Sequence, residues 1–224
     1  MAEQAASPAS LDGWLALLEQ RHGQRIELGL ERVAAVRARM QAESDAVVIT
    51  VGGTNGKGSC CAMLEGILLA SGYRVGCYTS PHLLRYNERV RIDGRDADDA
   101  ALVAGFAAVE AARGDTALTY FEHGTLAAWQ VFAAAGLDVI ILEVGLGGRL
   151  DAVNVFEPDC ALVTSVAMDH MDYLGDTREA IGFEKAGIFR AGRPAVCGDP
   201  QREDSYLQFP RSTCHRPSHW FYQP

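Results

Sequence analysis

The strongest constraint on the fold of this chain lies between residues 47 and 59, which read VVITVGGTNGKGS. A β-branched apolar run, residues 47–51, breaks into a glycine-rich turn. A helical apolar stripe follows at Cys60, Met63, Leu64, Ile67 and Leu68. Strand, turn and helix in that order make a βα unit. Glycines with a lysine and a hydroxyl make the turn a phosphate cradle, in which backbone N–H groups and a helix N-terminus face an anion. Thr54, Asn55, Gly56, Lys57, Gly58 and Ser59 are therefore candidates to hold the phosphates of ATP. The spelling departs from the usual G-x-x-x-x-G-K-[ST]: Val51 stands five before Gly56, and Gly58 separates Lys57 from Ser59. The plain alternative is a strand-to-helix turn without a ligand, but such a turn rarely needs four glycines and a lysine.

The bulk figures narrow the class. The chain has 224 residues, 48% hydrophobic and 22% charged, ordinary for a globular protein of one large or two small domains. A net charge of −9 argues against a general nucleic-acid surface. It does not argue against ATP, because the local loop sets the field there. The six cysteines form no C-x-x-C pair, which fits a reducing cytoplasm better than a disulfide framework or zinc site. The N-terminus lacks the pattern of a signal peptide. The most apolar stretch, residues 131–146, is broken by Asp138 and Glu143, too polar to span a membrane.

Periodicity organises the rest. Leu11, Trp14, Leu15 and Leu18 recur at helical spacing, as do Val33, Val36 and Met40, on either side of a link at residues 23–28. Residues 74–78, 137–144, 160–165 and 194–197 read as strands, and residues 98–112, 122–135 and 178–189 as helices. Residues 79–94 hold Pro81 and no period, and read as a long loop. Alternating strands and helices predict an α/β fold, a parallel sheet with helices on both faces. In such a sheet ligands gather at the carboxyl ends of the strands. Four such ends here carry the phosphate loop, Ser80, Glu143, and Asp169 with His170. Mg²⁺ prefers oxygen donors, which suits Glu143 and Ser80 better than His170. Each has a plain reading too: Glu143 as a strand end, His170 as a structural histidine, Ser80 as turn chemistry before Pro81. Asp169 could cap the segment that follows. Lys185, read alone, is a solvated lysine paired to a neighbouring glutamate.

Seven ordered motifs then add a resemblance. They are IELGLER (26–32), GTNGKGS (53–59), TSPHL (79–83) with NERVRI (87–92), TYFE (119–122), LEVGLGGRLDAVN (142–154), TSVAMDHMD (164–172) and EKAGIF (184–189). Together they resemble the dihydrofolate synthase/folylpolyglutamate synthase branch of the Mur ligase superfamily, over most of residues 11–198. The resemblance implies a P-loop-type ATP-binding domain, with Lys57, Lys185 and His170 acting in catalysis. Magnesium would sit on Ser80, Glu143 and His170. Lys185 would be carbamylated, against its plain reading. A pterin substrate would lie against Ile26, Glu27 and Leu28, against Thr119, Tyr120, Phe121 and Glu122, and against Leu150, Asp151 and Ala152. The loop from Ser80 to Arg91 would close over it. The implied reaction adds L-glutamate to dihydropteroate or to a folate through an acyl phosphate, in a monomer.

The pattern ends near residue 198. Family members continue into a C-terminal Rossmann-like ligase domain, whereas residues 201–224 show no folding period. The reading is thus an incomplete ATP-binding domain at 1–198 and an aberrant, disordered tail at 199–224, with a frameshift or truncation as the simplest explanation. An incomplete sheet predicts an open edge, an uncovered apolar face and a tendency to aggregate. Two other functions stay open: a non-catalytic remnant that at most binds nucleotide, and a related Mur-type amino-acid ligase acting on a cell-wall precursor.

Overall fold

The computed structural model describes residues 7–22, 26–199 and 214–215. Two helices, α1 (Leu11–His22) and α2 (Glu31–Arg37), precede β1 (Val47–Gly52) and α3 (Lys57–Ala70). Then come β2 (Val75–Tyr78), a 3₁₀ turn (Tyr86–Arg89), β3 (Val90–Ile92), β4 (Arg95–Asp96), α4 (Asp99–Arg113) and α5 (Tyr120–Ala135). The chain continues through β5 (Val139–Glu143), a second 3₁₀ turn (Ala152–Val155), β6 (Cys160–Val163), α6 (Met171–Leu174), α7 (Arg178–Ala186), β7 (Ala195–Cys197) and β8 (Cys214–His215). The expectations for residues 23–25 and for most of the tail fall outside the described residues. The described pair 214–215 adds parallel to β7. Asp199, just past the expected boundary, is buried and accepts from the Val166 N–H and the Arg178 guanidinium.

The sheet runs β4-β3-β2-β5-β1-β6-β7-β8. From β2 to β8 every pairing is parallel, with Val47 opposite Val139 and Ile49 opposite Cys160. The pleat sorts each strand between two layers. Val48 of β1 and Ile140 and Leu142 of β5 join a core with α1, α2, α4, α5 and α7. Val51, Val139 and Ile141 turn to the other face, where α3 covers them through Cys61 and, half-buried, Leu64 and Leu68. Helices therefore lie on both faces, as the alternation of elements implies.

The expected loop at 79–94 is more ordered than its aperiodic sequence suggests. It holds the 3₁₀ turn and β3, which pairs antiparallel with β2 and with β4. Three-residue strands are too short for a period to show, and the middle residue, Arg91, is spent on a near-buried ion pair with Glu65 of α3 at 2.8 Å. At α5 the expected start shifts two residues earlier. Thr119 and Glu122 form a reciprocal capping box, so the helix begins at Tyr120. The helix expected over 178–189 ends at Ala186, before Gly187.

Candidate nucleotide and acid site

The central order β2-β5-β1-β6 sets four chain segments side by side at the carboxyl end of the sheet. These are Ser80 after β2, Glu143 at the end of β5, the phosphate loop after β1, and residues 164–170 after β6. The loop is held by its neighbour as well as by its own lysine. The Thr54 N–H donates to the Ser165 carbonyl at 2.8 Å, and the Thr164 hydroxyl donates to the Asn55 carbonyl at 2.7 Å. The Thr54 hydroxyl accepts from the Ala167 N–H at 3.0 Å. Gly53 and Gly56 sit at φ 139° and 83°, where L side chains are strained, and a Cβ on Gly53 would overlap the Thr164 hydroxyl. Asn55, Gly56, Gly58 and Ser59 stay exposed along the lip, at the N-terminus of a 14-residue helix. Lys57 folds back, its ammonium donating to the Gly53 carbonyl at 2.9 Å.

Glu143 is buried, and one of its oxygens accepts from the Ser80 N–H at 2.9 Å. Burial raises its pKa, while the Ser80 N–H, Lys57 and Arg91 pull it back. The Ser80 backbone N–H thus fixes the Glu143 carboxylate beside the phosphate loop, and a carboxylate next to a hydroxyl residue fits a hard divalent cation. His170 stands outside that pair. It is half-exposed in a left-handed conformation (φ 49°), 3.6 Å from the Asp169 carboxylate, and forms no hydrogen bond with Ser80 or Glu143. Among the described residues no three His, Cys, Asp or Glu side chains gather as a ready metal cage.

Lys185 departs from its plain reading. Its exposure is 4%, and the neighbouring Glu184 instead pairs with Arg149 at 2.8 Å. Burial, with Lys57 adding repulsion, lowers its pKa to about 8, and Asp169 and Asp151 oppose the shift. Those charges place Lys185 in the same electrostatic neighbourhood as Lys57. Asp151 is likewise buried, its pKa raised to about 6 by burial although it accepts from the Leu146 and Val153 N–H groups.

Beside this cluster opens a cleft of about 510 Å³. Ile26, Glu27, Leu28, Thr119, Tyr120, Phe121, Glu122, Leu150, Asp151 and Ala152 all line it, together with Ser80. Arg32 ties the first of these segments to the second, reaching Glu122 at 3.0 Å and Glu27 at 3.3 Å. Seven other residues line the cleft, among them Glu19, His82 and Arg89, none of which was an expected substrate contact. The last two lie within TSPHL and NERVRI, where no period marks a side chain as facing a cavity. Arg89 donates to His82 Nδ1 at 2.8 Å.

Comparison with known proteins follows the same lines. Residues 51–199 match the model of the Mur ligase middle domain. The dihydrofolate synthase/folylpolyglutamate synthase of Escherichia coli (strain K12) is 58% identical over 199 residues, covering 88% of this chain and 47% of its own length. Its counterpart in Haemophilus influenzae is 54% identical, over 91% of this chain and 46% of that protein. The structure of E. coli FolC in complex with DHPP and ADP superposes with a TM-score of 0.88 at 53% identity, covering 92% of this chain and 50% of that one. A bifunctional folylpolyglutamate synthase/dihydrofolate synthase with Mn, AMPPNP and L-glutamate bound gives 0.85 at 54% identity, over 92% and 50%. The chain spans about half the length of the curated relatives it matches. Fold, phosphate loop and family model agree: this chain belongs to the Mur ligase family and carries its middle domain.

Proposed function

We propose that this chain is the nucleotide- and acid-binding half of an ATP-dependent ligase that joins L-glutamate to dihydropteroate and to the γ-carboxylate of folates. One observation carries the reading: Ser80 belongs to both halves of the site. Its N–H holds Glu143 at the phosphate loop, and it also lines the cleft, so an acid in the cleft has its carboxylate beside a nucleotide on the loop. The relatives' ligands, a nucleotide with Mn and L-glutamate in one case and DHPP with ADP in another, support the same pairing.

The residues divide the work. Thr54 to Ser59 cradle the phosphates, and Lys57 leaves its loop carbonyls to neutralise the transferring group. Ser80, Glu143 and His170 are the residues that would hold Mg²⁺. When bound, that ion neutralises phosphate charge. Lys185, a buried amine able to lose its proton near neutral pH, adds to CO₂ as a carbamate and releases a proton. The cleft walls position the acid so that its carboxylate attacks the terminal phosphorus and ADP leaves, giving an acyl phosphate; the glutamate amine then attacks the acyl carbon, and inorganic phosphate and the amine proton leave. The working protein is a cytoplasmic monomer. Residues 1–198 form its ATP-binding unit, which Asp199 extends through its bonds from the Val166 N–H and the Arg178 guanidinium.

Calorimetric titration tests the reading. The chain should bind both Mg-AMPPNP and dihydropteroate, and Lys57→Ala should weaken the first by about tenfold to a hundredfold while leaving the second. Preference for a UDP-linked peptide precursor over dihydropteroate would move the assignment to another Mur-type ligase. Binding of nucleotide alone would leave only a nucleotide-binding remnant.

A further inference from the structure

Arg89 is the only arginine lining the cleft among the described residues. Its surroundings are built to hold a guanidinium in one place. Nε donates to His82 Nδ1 at 2.8 Å, and the plane stands 5.4 Å from the Tyr86 ring centre and 6.0 Å from that of Tyr120. The buried Tyr78 hydroxyl, a neutral group, lies in the field of the same guanidinium. Among the described residues no carboxylate lies within ion-pair distance of Arg89, whereas Arg32, across the same cleft, holds both Glu27 and Glu122. A braced guanidinium, partly shielded by two aromatic rings and without a counter-ion, has its forked N–H donors available for an anion. Its anchor His82 lies two residues from Ser80, so this wall of the cleft adjoins the phosphate loop.

We propose that Arg89, braced by His82, Tyr86 and Tyr120, is the specificity determinant that recognises the carboxylate of the acid substrate and turns that end toward the nucleotide. The inference rests on the cleft's being the acid site, as set out under the proposed function. On this view Glu27, Glu122 and Asp151, engaged by Arg32 or by backbone N–H groups, shape the pocket around the rest of the molecule. Arg89 supplies its single cationic contact to the reacting end.

The test compares two ligands that differ only at that end, dihydropteroate and its primary carboxamide, by titration against the wild-type chain, Arg89→Gln and Arg89→Lys. The wild type should prefer the acid by about tenfold to a hundredfold, the range of a charge-assisted hydrogen bond. R89Q should bind the amide as the wild type does and lose the preference for the acid. R89K should keep part of it, since an ammonium retains the charge and loses the fork. A thermal transition matching the wild type shows that each variant is folded, and R89K serves if R89Q is not. An unchanged acid-to-amide ratio in the folded variants overturns the inference and leaves the cleft assignment standing. Equal binding of acid and amide by the wild type does the same. A wild type that binds neither ligand overturns both.

Discussion

At the residue scale, Lys185 makes the sharpest demand on the protein. A buried ammonium without an acid partner costs stability whenever it is charged. Its folded pKa of about 8 lies below its ordinary value of 10.5. Between those values the unfolded chain holds a proton that the folded one has lost, so stability rises with pH through that window and the cost is fully present below it. The difference is on the order of 3 kcal/mol. In CO₂-depleted buffer Lys185→Met should therefore melt roughly 5–10 °C above the wild type at pH 7, and the two curves should converge near pH 10.5. Equal melting temperatures at pH 7 would place the amine in water. The sequence EKAGIF could not reveal this, because a helical lysine beside a glutamate has the same spelling whether the partner is taken or free. Here the partner is taken by Arg149.

At the scale of elements, α7 is seated by contact with the turn that follows β5. A Cβ on Gly148 would lie 2.7 Å from the Glu184 carbonyl and 2.9 Å from that of Lys185, both backbone atoms that have little room to yield. Gly148→Ala should destabilise the fold by about 1–3 kcal/mol, read by denaturant titration. It should also move the Lys185 amine, read as loss of the wild-type pH dependence described above. A simpler cap lies at α5: Thr119→Ala removes the oxygen that accepts from the Glu122 N–H and should cost about 1 kcal/mol. A loss well above that would show that Thr119 supports the cleft wall as well. These elements also show what was legible. The long parallel strands and α4, with its Asp98 cap, could be read because burial writes a period or a continuous apolar run. β3 and β4 could not, since a strand of two or three residues shows no period. The capping box was also in plain sight as Thr119 and Glu122, yet the alanine-rich pattern behind it drew the helix start inward.

At the scale of the molecule the two faces of the sheet are unequal. Among the described residues six helices contribute to the core on one face and α3 alone covers the other, with Met63, Ile67 and Tyr73 at least half exposed. Met63→Glu with Ile67→Lys should leave the melting temperature within about 2 °C, since neither side chain is in the core. The pair should lower self-association measured by sedimentation velocity. A fall in melting temperature would show that the α3 face is packed in the protein as it exists in solution. The site as a whole was more legible than this asymmetry. Strand ends announce themselves in a parallel sheet, and the cleft residues came through the family motifs. The loop from Ser80 to Arg91 was expected over the site, but an aperiodic sequence does not say that His82 and Arg89 are the side chains that line the cleft.

The lacing of the phosphate loop to residues 164–167 has a consequence for how a nucleotide meets this protein. The entropy of shaping that loop is lost when the chain folds, not when the ligand arrives, so association should run close to the rate of diffusive encounter. The same stitches also work in reverse. Any strain that tugs the segment leading to Asp169 and His170 is felt at the Thr54 and Asn55 backbone. Nucleotide affinity and the posture of that segment are therefore thermodynamic partners, each altering the other by the same factor.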